Sequence, residues 1–198
     1  MSNYIRTHRT ENYKKGIFCI EGLWTPDHRD KSSVKKALDF LELIEGVKTA
    51  HRNCINKLAL SQLIDDSFQK RYSRYAILYL AFHGEPSKIV VEKRNKTVSL
   101  DEVADMIDGR ANGRIIHFGS CRTLETDGWE LRRFLKKTNA LAVSGYTADV
   151  DFVRSSVFDL IYFQQCQTTT SIRKISEEMK RYYKNLGAEL GFKIKDYR

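Results

Sequence analysis

Two apolar runs dominate the pattern of hydrophobic and polar positions along the chain. Residues 75–82 are apolar throughout and stop at the pair His83-Gly84, while a second, mainly apolar run, residues 114–118, stops at Gly119. Short apolar runs bounded by glycine are typical of strands that are buried on both faces of a parallel sheet. We therefore predict two central strands, with His83 and Gly119 just beyond their carboxyl ends.

Weaker apolar stretches and helical repeats alternate along the rest of the chain. Further strands are predicted at residues 16–21, 47–51, 141–144 and 192–196. Apolar positions spaced by three and four predict helices at residues 34–44, 53–71, 100–107, 129–137, 150–165 and 171–188. Because strands that alternate with helices form right-handed βαβ units, we predict an α/β fold. Its expected architecture is a three-layer α/β/α sandwich with a mostly parallel sheet.

One segment departs from this alternation. Residues 87–91 and 96–100 alternate between polar and apolar positions, which predicts a β-hairpin inserted after the third strand. Ser99 is expected to cap the helix that follows. The pattern shows no domain boundary, so residues 16–198 are predicted to form a single domain, preceded by an N-terminal arm of residues 1–15.

The composition and charge of the chain limit the class of protein and the cellular location that we expect. The 198 residues are 41% hydrophobic and 30% charged, as is ordinary for a globular protein. No apolar run approaches the roughly 20 residues needed to span a bilayer, and residues 1–15 lack the apolar stretch of a signal sequence. We expect a cytoplasmic protein without a membrane partner. The net charge is +9, but the basic residues are scattered, which indicates a solvated surface rather than a nucleic-acid site.

The four cysteines are expected to be free thiols. They are Cys19, Cys54, Cys121 and Cys166, and none forms a C-x-x-C pair. No cysteine and histidine grouping has the spacing of a zinc site, and the chain has neither a Walker A loop nor a G-x-G-x-x-G motif. We therefore predict no metal and no cofactor.

The reactive residue types concentrate at the two central strand ends. His83 and Cys121 follow strands that become neighbours in a βαβ unit, roughly 4.8 Å apart. Open α/β folds place their ligand crevice at this edge, and a thiol and an imidazole in one crevice can act as nucleophile and base. We predict a catalytic dyad of His83 and Cys121. In the alternative interpretation the two residues meet by coincidence in a non-catalytic α/β module that binds nucleic acid or an acidic partner.

Backbone donors beside the dyad complete this hypothesis. Gly84 follows the histidine and lets the backbone approach a substrate closely, while the small residues Gly119 and Ser120 let the nucleophile turn outward. We predict that the N–H groups of Gly84 and Cys121 form an oxyanion hole.

These motifs, in this order, resemble the caspase-like cysteine peptidases. A strand followed by His83-Gly84, then a hairpin and helix, then a strand followed by Ser120-Cys121 is most similar to the CHAT and metacaspase branches. The resemblance covers residues 16–165 and implies a caspase-haemoglobinase-like fold and a cysteine endopeptidase. The segment around Cys121 departs from the caspase pattern Q-A-C-R-G, although Arg122 is kept. That departure disfavours a caspase-type preference for aspartate.

The resemblance also implies a substrate and a mode of control. In metacaspases a segment similar to residues 144–151 contributes an acid to the S1 pocket, so Asp149 or Asp151 would receive an arginine or lysine of a protein or peptide substrate. Alternatively, either aspartate caps the helix that follows. Small bacterial relatives suggest a regulated effector protease, which would need a separate activator, self-cleavage or a ligand.

Overall fold

The computed structural model describes residues 14–27, 29–92 and 96–197. The strands of this part of the chain are β1 (Ile17–Glu21), β2 (Thr49–Asn53), β3 (Ile77–Ala81), β4 (His83–Glu85), β5 (Lys88–Glu92), β6 (Lys96–Ser99), β7 (Ile115–Phe118), β8 (Ala142–Tyr146) and β9 (Phe192–Asp196). Its α-helices are α1 (Lys35–Glu45), α2 (Lys57–Ser67), α3 (Leu100–Ile107), α4 (Gly128–Thr138), α5 (Phe152–Thr168), α6 (Ile172–Tyr182) and α7 (Lys184–Glu189).

A six-stranded sheet forms the middle layer. Its order is β2-β1-β3-β7-β8-β9, and the strands are parallel except β9, which runs antiparallel to β8. Every residue of β1, β3, β7 and β8 is buried, because helices cover both faces. The predicted three-layer α/β/α sandwich with a mostly parallel sheet is confirmed.

Side-chain alternation along the strands divides the core into two layers. Leu78 and Leu80 of β3 point to one face, where they belong to a cluster that includes buried residues of α2, α3 and α4. Ile77, Tyr79 and Ala81 point to the other face and join buried residues of α1, α5 and α6. This two-residue period is the one that an extended strand imposes. It places the histidine of β7 and the tyrosine of β3 in the layer beneath α5.

The predicted hairpin is present as part of a small second sheet. Strands β4, β5 and β6 are antiparallel neighbours in that order, so the hairpin of β5 and β6 gains one more strand that begins at His83. Ser99 caps α3 as predicted: its hydroxyl accepts from the Glu102 N–H at 3.2 Å, and its own N–H donates to the Glu102 carboxylate at 2.8 Å. The hairpin is thereby fixed beside the end of β3.

Boundaries differ from the prediction near β2. The strand lies at Thr49–Asn53 rather than at residues 47–51, and its last residue pairs in register with Glu21 of β1. Because that asparagine stays in the sheet, the expectation that it begins the next helix was wrong. Asn56 is the cap, and its Oδ1 accepts from the Ala59 N–H at 2.8 Å.

Both ends of the described chain have features that the hydrophobic pattern did not predict. Residues 1–13 of the predicted arm lie outside the described residues, whereas Lys15 is buried and donates from its N–H to Gln167 and from Nζ to the Cys166 carbonyl, each at 2.8 Å. The single helix predicted at residues 171–188 is divided into α6 and α7 at Tyr183, whose φ of −125° is not helical. Within the described ranges, no helix has the length and apolar character needed to cross a membrane.

Candidate active site

His83 stands just beyond the carboxyl end of β3 with an exposed side chain. Its Nε2 lies 2.6 Å from the backbone carbonyl oxygen of Trp24. A carbonyl oxygen can only accept, so Nε2 carries the hydrogen and the Nδ1 lone pair is left free to take up a proton. The Trp24 ring meets the imidazole edge-on, with ring centroids 5.3 Å apart, and fixes its plane.

The loop that carries Trp24 is held by a buried carboxylate at the end of β1. Glu21 accepts hydrogen bonds from Trp24 Nε1 at 2.5 Å, Ser33 Oγ at 2.6 Å, the Val34 N–H at 2.7 Å and His51 Nε2 at 2.6 Å. Burial alone would raise the pKa of Glu21, but these bonds, led by that of His51, outweigh it and lower the pKa. Sequence reasoning missed Glu21; its only signal was an acid at the end of an apolar strand.

Cys121 lies on a tight loop after β7, and its thiol contacts the loop after β8. Its Sγ accepts from the Val150 N–H at 3.4 Å and lies 3.7 Å from the Val150 carbonyl oxygen. The Arg122 N–H donates to the Ala148 carbonyl at 3.0 Å, and the Leu124 N–H donates to that of Tyr146 at 2.9 Å. These bonds hold the two loops together, so the position of the sulfur depends on both.

The structure brings the two predicted dyad residues to one crevice. His83 and Cys121 line the same cavity of about 80 Å³, whose wall includes Trp24, Val150 and Phe152. The crevice is at the carboxyl edge of β3 and β7, which are hydrogen-bonded neighbours in the sheet. A thiol and an imidazole base therefore face one small, partly apolar space.

Gly84 is pressed against the cysteine loop. A Cβ at this position would clash with the Cys121 carbonyl oxygen and with Thr123 Oγ1, so only glycine fits. Thr123 Oγ1 also donates to the Lys88 carbonyl at 3.1 Å, which ties the loop to the hairpin. The sequence predicted a close approach of a substrate at Gly84, and in the structure the loop that carries Cys121 makes a close approach there.

Two backbone N–H groups beside the crevice lack acceptors in the described part of the chain. Glu85 and Lys88 pair across a two-residue turn, so the next pair, Gly84 and Ile89, is a non-hydrogen-bonded one whose N–H groups point away from the partner strand. The Cys121 N–H likewise donates to no described residue. Both donors predicted for the oxyanion hole are free to serve, and that role stays a prediction.

The two aspartates proposed for the S1 pocket have different environments. Asp151 caps α5, and its Oδ1 accepts from the Arg154 N–H at 2.9 Å. Asp149 is exposed and precedes Val150, the residue that contacts the Cys121 sulfur. Arg122 is bound to Glu125 at 2.6 Å; that bond raises the pKa of the guanidinium, and Asp149 contributes less. Of the two aspartates, Asp149 is therefore the one that caps no helix and lies beside the Cys121 contact.

The other three cysteines are unsuited to be nucleophiles. All four are free thiols, but Cys19, Cys54 and Cys166 are buried, whereas Cys121 is partly exposed. Burial raises the pKa of Cys54 to about 11 and that of Cys166 to about 12, and it raises the pKa of Cys19 well above its usual value. A buried thiol with a raised pKa supplies little thiolate.

His117 is a core residue, and both of its ring nitrogens lie within hydrogen-bond distance of side chains rather than backbone groups. Its Nδ1 lies 2.9 Å from Ser144 Oγ and its Nε2 lies 2.8 Å from Asp159 Oδ1. Asp159 also accepts from the hydroxyls of Tyr79, at 2.6 Å, and Tyr146. All of these side chains are buried, and of them only Tyr79 also lines the crevice.

Among the described residues, no group of three or more His, Cys, Asp or Glu side chains is arranged to hold a metal ion.

Comparisons with known proteins identify a family but no activity. No curated protein matches the chain. A family model does match nearly its whole length, residues 14–196. The chain therefore belongs to the Family of unknown function (DUF6642).

Proposed function

We propose that the protein is a cysteine endopeptidase of the caspase-like type, with Cys121 as nucleophile and His83 as base. The observation that carries this proposal is the shared crevice, in which the one partly exposed cysteine faces His83. Among the described histidines, His83 is the one whose ring is oriented by a backbone carbonyl. The free thiols suit a reducing compartment, so we place the enzyme in the cytoplasm.

The proposed reaction has two chemical steps. In the first, His83 Nδ1 accepts the proton of the Cys121 thiol, and the sulfur attacks the carbonyl carbon of the scissile peptide bond. The new C–S bond turns the carbonyl oxygen into an oxyanion that the Gly84 and Cys121 N–H groups stabilise. The C–N bond then breaks, the imidazolium returns its proton to the leaving amine, and a thioester remains.

Hydrolysis of the thioester regenerates the enzyme. His83 Nδ1 takes a proton from a water molecule as its oxygen attacks the thioester carbon, and the same two N–H groups stabilise the second oxyanion. Collapse breaks the C–S bond, releases a carboxylic acid and returns the proton to the sulfur. The Trp24 carbonyl holds the ring in place during both steps because it accepts from Nε2 throughout.

The substrate class follows from the charge beside the nucleophile. Asp149 is exposed next to the Val150 contact with Cys121, and its carboxylate would bind the guanidinium or ammonium of a basic residue at P1. The nearby Arg122 is already bound to Glu125, so it need not neutralise Asp149. We infer cleavage after arginine or lysine in a protein or peptide, with a separate activator as a possible partner.

Covalent labelling tests this proposal directly. A peptidyl acyloxymethyl ketone ending in arginine should modify Cys121 alone, as mapped by mass spectrometry, and the Cys121→Ala protein should stay unlabelled. The same reagent ending in aspartate is the specificity control and should react much more slowly. Asp149→Ala should remove the difference between the two reagents.

The outcomes separate an enzyme from a binding module. Modification of other cysteines at the same rate as Cys121 would overturn the assignment of the nucleophile. Absence of labelling, together with salt-sensitive binding to DNA, would favour the non-catalytic α/β module instead.

A further inference from the structure

A second cavity lies apart from the His83 and Cys121 crevice. It has a volume of about 470 Å³ and lies between α6, α7, the start of β9 and Phe158 in the first half of α5. None of the residues that line it also lines the crevice. Cavities of this size hold small organic molecules in many proteins.

The interior of this cavity is apolar and aromatic. Phe158 and Phe192 meet edge-to-face with centroids 4.8 Å apart, and Met179, Tyr183 and Ile194 complete the apolar lining. The lining has two aliphatic hydroxyl groups, those of Thr147 and Ser176, and the first already donates to the Gly191 carbonyl at 3.0 Å. The cavity is therefore poorly equipped to recognise a sugar or a base, each of which needs several hydrogen-bonding groups.

Small residues on α7 leave this space open. Gly187 and Ala188 face the cavity, and a Cβ on Gly187 would meet the Phe158 ring at 3.3 Å. The space opens to solvent beside the exposed Ala188, so a small molecule can enter it from the surface.

The rim of the cavity is basic. Lys180 and Lys184 line it with exposed side chains, and no acidic residue is among the described residues that do so. Lys193 also borders it, but this residue lies between Phe192 and Ile194 on β9, so its side chain points to the opposite face of the sheet. Within the described ranges none of these three lysines forms an ion pair with a carboxylate, although many other basic residues of the chain do. The two unpaired ammonium groups of Lys180 and Lys184 beside an apolar interior favour a ligand with an anionic head and an apolar body.

We propose that this cavity binds a medium-chain aliphatic carboxylate. The alkyl chain lies on Phe158, Phe192 and Met179, and the carboxylate is held by the lysines at the rim. The apolar surface removed from water supplies affinity, and charge-assisted hydrogen bonds to the ammonium groups select the anion.

Calorimetry with three ligands of equal chain length tests the charge and the cavity separately. Decanoate should bind with one site per chain, decanol should bind at least about tenfold more weakly, and decylammonium should not bind at this site. The Lys180→Ala/Lys184→Ala variant should weaken decanoate binding by about tenfold or more. The matched control, Lys70→Ala/Lys136→Ala, removes two exposed lysines that do not line the cavity and should bind as the wild type does.

A cavity-filling variant locates the ligand. Ala188 is exposed at the mouth, so Ala188→Trp should abolish decanoate binding while the protein keeps its wild-type melting temperature. The proposal is overturned if decanoate does not bind, if decanol binds as tightly as decanoate, or if a folded Ala188→Trp protein retains wild-type affinity. These measurements need no peptidase activity and so stand apart from the function of Cys121.

Discussion

Two histidines near neighbouring strands of the same sheet show how differently one side chain can be used. His83 lies beyond the end of β3, is exposed, and has a neutral backbone carbonyl as its partner. His117 lies within β7, is fully buried, and binds Ser144 on one side and the carboxylate of Asp159 on the other. The first shares a crevice with a thiol, and the second is enclosed by aromatic rings.

The buried residues around His117, and not those of the crevice, have the hydrogen-bond pattern of a catalytic triad. Ser144, His117 and Asp159 are connected by hydrogen bonds in the order of a Ser-His-Asp triad. Yet the serine and histidine are 0% exposed and the aspartate 3%, so no substrate carbonyl can reach the hydroxyl. Access at a strand end, rather than the pattern of hydrogen bonds, distinguishes a candidate active site from a structural network in this fold.

The largest expected effect is on catalysis at Cys121. Cys121→Ala should lower kcat for an arginine-containing peptide by about 10⁴-fold or more, because it removes the proposed nucleophile. Ser144→Ala, the matched change in the buried set, should leave kcat close to that of the wild type. Loss of activity in the Ser144 variant without loss of folded protein, or full activity in the Cys121 variant, would reverse the roles of the two regions.

The next effect is on stability at Asp159. Asp159→Ala leaves His117, Tyr79 and Tyr146 without their buried acceptor and should lower the free energy of unfolding by about 3–5 kcal/mol. Burial, and then the Asp159 charge, raises the pKa of both tyrosines, so they remain protonated donors that need an acceptor.

Urea unfolding measures this loss against an exposed pair. Asp39 binds Lys35 on the surface of α1, and Asp39→Ala should change the free energy of unfolding by no more than about 0.5 kcal/mol. Equal losses in the two aspartate variants would show that the buried network contributes no more than a surface ion pair.

Local signals made much of the fold predictable. The apolar runs predicted β3 and β7, polar alternation predicted the hairpin, and Ser99 predicted a helix start. Each of these signals lies within a few residues. The start of α2 could not be chosen in the same way. Asn53 and Asn56 are equally good caps, and only pairing with β1 keeps the first in the sheet.

The sequence predicted only those residues of the candidate site whose position follows from the sheet topology. His83 and Cys121 follow strand ends, and the parallel topology brings such ends to one edge. The roles of Glu21 and Asp159 depend on partners up to 30 and 80 residues away in the sequence, which no local pattern contains. Asp159 sits in a helix whose apolar pattern gives no sign that a carboxylate is buried there.

A smaller effect is expected at Glu21, the buried carboxylate on the His83 side. Glu21→Gln keeps the shape but removes the charge that His51 binds, and should lower the free energy of unfolding at pH 7 by about 1–3 kcal/mol. The folded-state pKa of Glu21 is lowered, so its contribution is present above the unfolded value of about 4.3 and is lost as the pH falls through the folded value.

Unfolding at a series of pH values checks the sign of this dependence. The difference in stability between the wild type and Glu21→Gln should be constant near neutral pH and should shrink in the acid range below about 4.3. A difference that grew on acidification would mean that the pKa of Glu21 is raised in the folded protein. The hydrogen bonds that Trp24 and Val34 donate to Glu21 would then not stabilise its ionised form.

The smallest effect is expected at Asp151 and separates a helix cap from a specificity residue. Asp151→Ala removes the acceptor for the Arg154 N–H and should lower the free energy of unfolding by about 1 kcal/mol while the preference for arginine at P1 is kept. Asp149→Ala is the matched control and should leave the free energy of unfolding unchanged, because that exposed side chain caps no helix. Urea unfolding and paired cleavage assays with arginine and aspartate reporters measure both quantities. If Asp151→Ala loses the arginine preference and Asp149→Ala keeps it, the residue that caps α5 also forms the S1 pocket. The assignment of the cap to Asp151 and of P1 binding to Asp149 would then be wrong.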